Sequence, residues 1–151
     1  MSDSSFSSAE RLESAKVAIT GGLATGVISL GLILIHRRTE MPIAMNFVHL
    51  WTSLLGLTLL INWLIVALSG SLFALTYRYA IRQDDNVQLK AGVVAAFTLV
   101  RGLAQVDAGS AIAQHFWPFL AACGESLLFF GVSAAILNVA FAQNWLKRFG
   151  K

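Results

Sequence analysis

A run of nineteen residues without a charged side chain, from Val17 to Ile35, limits what this chain can fold into. As an α-helix the run measures about 29 Å, which matches the roughly 30 Å hydrocarbon core of a bilayer. Of the 151 residues, 56% are hydrophobic and only 13% are charged. A soluble fold of this size could not bury so much apolar surface. The sequence therefore predicts an integral membrane protein built from helices.

Three further stretches have the length and composition of membrane spans. The second, residues 51–77, begins and ends with aromatic residues, Trp51 and Tyr77, of the kind that lie at membrane interfaces. The third is residues 91–113 and the fourth is residues 118–141. Together with residues 17–35 they predict a single, all-α membrane domain. It is a four-transmembrane-helix bundle that follows a polar N-terminal segment, residues 1–13.

The third span contains Arg101, so the distribution of the other basic residues is a useful test of it. If all four segments cross, both termini and the loop between the second and third spans share one side of the membrane. Eight basic residues then lie on that side, namely Arg11, Lys16, Arg78, Arg82, Lys90, Lys147, Arg148 and Lys151. The opposite side holds only Arg37 and Arg38. Because basic loops face the cytoplasm, we predict four spans with both termini on the cytoplasmic or stromal side.

The arginine inside the third span needs a partner, because a charged side chain at membrane depth is costly unless it faces the bundle interior. Glu125, on the adjacent fourth span, is the partner that we predict. Asp107 competes, but six residues after Arg101 it lies on the opposite face of the helix. Two interpretations remain open. The intramembrane charge pair is either a salt bridge that fixes the order of the helices, or a site for an anionic head group, a carboxylate ligand or a proton.

Small residues recur at strict four-residue spacing along the first helix, at Ser14, Ala18, Gly22 and Gly26. Such a stripe lets two helix backbones approach closely, and van der Waals contact then drives helix association in lipid. The pattern predicts helix packing, either inside this bundle or against another protein.

The connector between the second and third spans combines aromatic rings with charges. Its residues of interest are Tyr77, Arg78, Tyr79, Arg82, Asp84 and Asp85. We expect the rings and cations to lie exposed at the lipid boundary, and the acidic turn to end one helix and start the next. The segment is either a plain connector or a docking surface for a partner.

Signals for chemistry are few. The chain has no P-loop, metalloprotease or serine-hydrolase motif, and its single cysteine allows neither a disulfide nor a thiolate metal cage. Its basic residues are too dispersed for a nucleic-acid interface. We therefore expect no metal, no cofactor and no enzyme. His49, beside Trp51, is the one histidine that offers a minor alternative, as a ligand of haem or a pigment.

The stretch LTYRYAIRQDDNVQLKAGVVAAFTLVRGLAQVD, Leu75 to Asp107, resembles a family of small membrane proteins of cyanobacteria that have plastid counterparts. It covers about a fifth of the chain, and no catalytic or cofactor residues are established for the family. The resemblance implies a thylakoid or plasma-membrane location and a place beside photosynthetic complexes. From the residues we expect a non-catalytic accessory subunit or assembly factor that contacts lipid and other membrane subunits. The alternative is a small homo-oligomeric transporter or channel with Arg101 and Glu125 at its site.

Overall fold

A computed structural model of the chain describes residues 8–40, 54–82, 86–105 and 116–149. These residues form four helices and no strand: α1 (Ser8–Glu40), α2 (Leu54–Ile81), α3 (Val87–Gln105) and α4 (Phe116–Ala142). The predicted all-α, four-helix bundle is confirmed.

All four helices are long and apolar enough to cross a membrane. Their outward faces carry large aliphatic side chains, such as Leu23 and Val27 on α1 and Leu64 and Leu68 on α2, each about half exposed or more. Trp117 and Trp145 are 78% and 73% exposed, and they lie at opposite ends of α4. Tryptophans in such positions mark the two membrane interfaces. The chain is therefore an integral membrane protein whose outer surface suits lipid.

The helices extend beyond the predicted spans on α1 and at the connector. The first helix begins at Ser8, inside the predicted polar segment 1–13, and ends at Glu40, five residues after Ile35. The second helix does not end at Tyr77 but continues to Ile81. The third helix begins at Val87, four residues before the predicted start, because the side chain of Asn86 caps it. The Oδ1 of Asn86 accepts a hydrogen bond from the backbone N–H of Gln88 at 2.9 Å, which is the contact expected of an N-cap residue. Residues 106–113 of the predicted third span lie outside the described residues.

The helices α1 and α2 approach each other closely where glycines face each other. A Cβ added to Gly70 would lie 2.7 Å from the carbonyl oxygen of Gly21, and one added to Gly21 would lie 2.6 Å from the carbonyl oxygen of Gly70. Thr25 fills the adjoining space and is fully buried. Its hydroxyl donates within α1 to the carbonyl of Gly21 at 3.0 Å and lies 3.3 Å from the carbonyl oxygen of Val66 on α2. Glycine is required here because any side chain would separate the two helices.

An aromatic core joins α2, α3 and α4. The ring centroids of Phe73, Phe97 and Phe130, one from each helix, lie 5.0 to 5.5 Å apart. Tyr77 extends this core by a ring contact with Phe73 at 5.4 Å. Its hydroxyl donates to the Oδ1 of Asn138 on α4 at 3.1 Å. The core thus fixes α2 against α4 as well as against α3.

The chain reverses direction after α4. Asn144 adopts a left-handed conformation, with φ of 59°, which asparagine tolerates better than most residues. The N–H groups of Trp145 and Leu146 then donate to the carbonyl of Ala140, at 3.0 and 3.3 Å. Leu146 is buried and joins the core. This reversal folds the C-terminal residues 144–149 back over the bundle, at the same end as the start of α1.

Candidate functional site

Two polar features stand out in this apolar bundle, and the first is a buried arginine at the end where α1 begins and α4 ends. Arg78, on the last turn of α2, is only 1% exposed. Its Nε donates to the backbone carbonyl of Lys147 at 2.9 Å, and one terminal nitrogen donates to the hydroxyl of Ser14 at 2.6 Å. One guanidinium group therefore ties the first helix and the C-terminal residues to the second helix.

Aromatic rings complete the surroundings of this guanidinium. The ring centres of Tyr79 and Phe149 each lie 5.7 Å from the Cζ of Arg78. The two rings contact each other at 5.0 Å. The oxygen of Tyr79 also lies 2.8 Å from the hydroxyl oxygen of Ser14. Buried guanidinium groups are stabilised by ring faces and by carbonyl dipoles, and Arg78 has both.

An outer layer of charge covers this cluster. Arg82 is exposed and lies 5.6 Å from the centre of the Phe149 ring. Glu13 forms a 2.9 Å ion pair with Lys16 and accepts a 3.4 Å hydrogen bond from the backbone N–H of Lys147. We call the set of Ser14, Arg78, Tyr79, Lys147 and Phe149 the Arg78 cluster.

The Arg78 cluster corrects the prediction of an exposed connector. Tyr77 and Arg78 are buried, at 0% and 1% exposure, and do not lie at the lipid boundary. The reason is that partners distant in the sequence, Ser14, Asn138 and Lys147, satisfy their polar groups. Tyr79 is half-buried, and among the members of the predicted set that the structure describes, only Arg82 is exposed. Asp84 and Asp85 lie outside the described residues.

The small-residue stripe on α1 is used inside the bundle. A Cβ added to Gly22 would lie 3.0 Å from the carbonyl oxygen of Ala67, and one added to Gly26 would lie 3.1 to 3.3 Å from the indole of Trp63. The indole N–H of Trp63 also donates to the carbonyl of Gly26 at 3.0 Å. Ser14 is buried in the Arg78 cluster, and Ala18 is half-buried. Of the two predicted uses, packing within this bundle is therefore the one seen.

The second polar feature is Arg101 on α3. Its guanidinium carbon lies 5.3 Å from the centre of the Phe129 ring on α4. The Nε of Arg101 is buried and has no hydrogen-bond partner. Among the described residues, the guanidinium group makes no hydrogen bond and no ion pair within 4.0 Å. A stack on one phenylalanine ring is its only close polar or aromatic contact there.

The predicted Arg101–Glu125 salt bridge is not formed. Glu125 lies four residues before Phe129, and therefore on the same face of α4 one turn away. The carboxylate is near enough to attract Arg101 electrostatically, yet the two side chains are not within the 4.0 Å of an ion pair. The side chain of Arg101 stacks instead on Phe129, one helical turn from Glu125. Asp107 lies outside the described residues.

Two buried hydroxyl groups on the same pair of helices, α3 and α4, also lack a hydrogen-bond partner. They are those of Thr98, three residues before Arg101, and Ser133, four residues after Phe129. Spacings of three and four residues place side chains on one helix face. In the described part of the chain, all the buried side-chain atoms without a hydrogen-bond partner belong to α3 and α4.

Ligands for a metal do not cluster in the described ranges, where no group of three or more His, Cys, Asp or Glu residues could hold an ion. Cys123 is a free, half-buried cysteine. It packs against Gly102, where an added Cβ would lie 3.2 Å from the Cα of Cys123. His49, the candidate ligand for haem or a pigment, lies outside the described residues.

Sequence reasoning missed the roles of Arg78 and Ser14. A signal was present in retrospect, because Ser14 heads the small-residue stripe and Arg78 ends an uncharged run of 37 residues. Nothing in the sequence indicates that the carbonyl of Lys147 completes the cluster. Comparison with protein-family models, with curated proteins and with solved structures gave no match. We therefore infer the function from the geometry of the described residues.

Proposed function

We propose that this protein is a non-catalytic accessory subunit or assembly factor of a larger membrane complex. The observation that carries the proposal is the open outward face of α3, formed by Gly92, Ala96, Leu99 and Leu103. All four residues are exposed. Of the four helices, α3 also has the smallest share of its span buried in the bundle. This face is available to another helix.

The composition of this face suits a helix better than lipid. Gly92 and Ala96 are one turn apart, and a Cβ added to Gly92 would meet nothing within 4 Å. Small residues at this spacing let a second backbone approach closely, which is what drives helix association in a membrane. The outward face of α2 differs, since Leu57, Leu64 and Leu68 cover it with bulky side chains.

The small residues on α1 do not add to the case for a partner, because α2 already covers Gly22 and Gly26. The Arg78 cluster supports a subunit role in another way. It uses its polar groups to hold three segments of the chain together, which suits a rigid element of a larger assembly. Through the resemblance of residues 75–107 to cyanobacterial and plastid membrane proteins, we place that assembly in a thylakoid or plasma membrane.

Purification from native membranes in a gentle detergent tests the proposal. We expect the full-length chain to co-purify with at least one other membrane protein and to migrate on a native gel above the position of a single 16.3 kDa chain with its bound detergent. Migration only as an isolated protomer, with no protein co-purifying, would count against the proposal. Mass spectrometry of the band distinguishes a different subunit from a second copy of this chain.

A small homo-oligomeric transporter or channel is the second candidate, and the unpartnered guanidinium of Arg101 is the observation that favours it. The positively charged guanidinium of Arg101 has donors that the described residues leave unused, and such a group can bind an anion in transit. Uptake of a labelled anion into proteoliposomes tests this candidate. Uptake by the wild type that is lost in Arg101→Ala would support transport, and equal uptake by both would exclude a transport role for Arg101.

A further inference from the structure

We infer that Arg101, together with Thr98, binds an anionic oxygen group, a phosphate or a carboxylate, between α3 and α4. The inference is independent of the accessory-subunit proposal, since it concerns the inner side of α3 and not its open face. The guanidinium group of Arg101 makes no hydrogen bond to the described residues of the protein.

An arginine has five N–H donors and cannot lose its charge inside a protein. The Nε of Arg101 is buried without a partner. Arg101 as a whole is only half-buried, so part of its side chain remains accessible, and its terminal nitrogens make no hydrogen bond to the described residues. In a membrane, unmet donors cost several kcal/mol each, because lipid tails offer no acceptors. A group that supplies acceptor oxygens at the accessible nitrogens would remove this cost.

The stack on Phe129 holds the guanidinium in one plane at 5.3 Å from the ring centre. Arginine presents its donors as a flat fork, which matches two oxygens of a phosphate or a carboxylate. The hydroxyl of Thr98 adds a neutral donor. It is buried, unpartnered and three residues before Arg101, on the same face of α3. A cation and a hydroxyl on one face favour an anion with more than one oxygen.

The chain's own carboxylate does not take this place. Glu125 attracts Arg101 but lies beyond the 4.0 Å limit of an ion pair. It also makes the site less favourable for an anion, since two negative charges would then lie near one cation. The charge of Glu125 should therefore affect anion binding at Arg101, which would not be seen if Arg101 had only a structural role. Removing the charge of Glu125 should tighten the binding of an anion.

The depth of the site limits the source of the anion. Gly102, next to Arg101, packs against Cys123, which lies six residues from the exposed Trp117. Six residues of helix measure about 9 Å, so Arg101 lies about that far from the interface that Trp117 marks. A phosphate of a lipid head group drawn in towards the arginine can reach this depth, and so can a free phosphate ion.

The experiment uses the full chain, purified in an uncharged detergent. Thermal unfolding is followed with two lipids, dioleoyl-phosphatidylglycerol and dioleoyl-phosphatidylcholine, and separately with inorganic phosphate. The variants are Arg101→Leu, Thr98→Val and Glu125→Gln. Arg82→Leu is the control, because it removes an exposed arginine at the other end of the bundle.

We expect an anion to stabilise the wild type and the Arg82→Leu control, with binding at least about tenfold weaker in Arg101→Leu, because charge-assisted hydrogen bonds are lost. Thr98→Val should weaken binding by about two- to tenfold through the loss of one neutral hydrogen bond. Glu125→Gln should tighten it. Should Arg101→Leu not fold, the Thr98→Val and Glu125→Gln variants, with their opposite effects, still test the inference.

Phosphatidylglycerol and inorganic phosphate distinguish the two possible sources of the anion. Stabilisation by phosphatidylglycerol, with none from phosphatidylcholine or inorganic phosphate, assigns the site to a lipid head group. Stabilisation by inorganic phosphate, competing with the lipid, assigns it to a free anion. An equal response in the wild type and Arg101→Leu, or a response lost only in Arg82→Leu, would overturn the inference. So would the absence of any response to either anion.

Discussion

The Nε of Arg78 donates a 2.9 Å hydrogen bond to the backbone carbonyl of Lys147, although 69 residues separate the two in the chain. This bond joins the end of the second helix to the residues that follow the fourth. The same guanidinium reaches Ser14, near the start of the first helix. One buried cation therefore brings both ends of the described chain to one end of the bundle.

Arg78→Leu should lower the free energy of unfolding by about 2–4 kcal/mol, because hydrogen bonds from a charged group each contribute about 1.5–3 kcal/mol and do not add fully. The loss should also free the C-terminal residues, so that limited proteolysis cuts the chain after Ala142 sooner than in the wild type. Denaturant unfolding in detergent and a proteolysis time course measure the two effects.

Arg82→Leu is the matched control for that change, since Arg82 lies four residues further on and is exposed. Its substitution removes only the cation–π contact of an exposed arginine with Phe149, so the free energy of unfolding should fall by no more than about 1 kcal/mol. Equal effects of the two substitutions would show that the Arg78 cluster does not hold the termini. Arg78→Lys should recover only part of the loss, because an ammonium group cannot present the same planar fork.

Gly70→Val should separate α1 from α2. A Cβ at this position would lie 2.7 Å from the carbonyl oxygen of Gly21 and closer still to the side chain of Thr25. Overpacking of this kind costs about 1–3 kcal/mol, and the shift of the helices should also break the hydrogen bond from Trp63 to Gly26. The free energy of unfolding and the tryptophan fluorescence report both changes.

Gly31→Ala provides the comparison within α1, because a Cβ there would meet nothing within 4 Å. Alanine favours a helix over glycine by about 1 kcal/mol, so this variant should be as stable as the wild type or more so. If Gly31→Ala were as damaging as Gly70→Val, the close contact of α1 and α2 would not be the cause.

How far the sequence predicts this fold depends on which interactions decide each part. The helix count follows from predominantly apolar stretches of bilayer length, such as residues 17–35, and this prediction is confirmed. The end of α2 does not follow in the same way. Arg78 resembles the first residue of a loop, and only Ser14 and Lys147, both more than 60 residues away, make its burial possible.

The candidate sites also combine features that the sequence predicts with features that depend on tertiary packing. Periodicity correctly identified Gly22 and Gly26 as packing residues, but it could not decide between a partner inside the chain and one outside. Depth along the helices indicated that Arg101 and Glu125 could interact, and the carboxylate attracts the guanidinium group without forming an ion pair with it. It could not predict that the guanidinium stacks on Phe129, because the direction of a long side chain depends on the packing of its neighbours.

Arg101 and Glu125 should therefore be only weakly coupled. Because the two charged groups attract each other but are not in contact, a double-mutant cycle of Arg101→Leu and Glu125→Gln in anion-free detergent should give a coupling free energy of about 0.5–1 kcal/mol. Thermal or denaturant unfolding of the four proteins supplies the cycle. A coupling of about 2 kcal/mol or more would mean that the two side chains form a salt bridge after all.

We propose that α3 presents its outward face to another membrane protein, and a pair of glycine substitutions tests this proposal. Gly92→Leu places a bulky side chain on the open face beside Ala96. Gly124→Leu is the matched control, since Gly124 on α4 is equally exposed and open, but Leu128, one turn away, already keeps a second backbone at a distance. Neither change should lower the stability of the isolated chain, because no neighbour lies within 4 Å of either position.

The measurement is the size and composition of the complex on a native gel, after gentle extraction from membranes that express each variant at equal level. We predict that Gly92→Leu shifts the chain from the complex to the free protomer, while Gly124→Leu migrates with the wild type. A Gly92→Leu variant that remains fully in the complex, or a wild type that is found only as a free protomer, would show that the outward face of α3 does not bind another membrane protein.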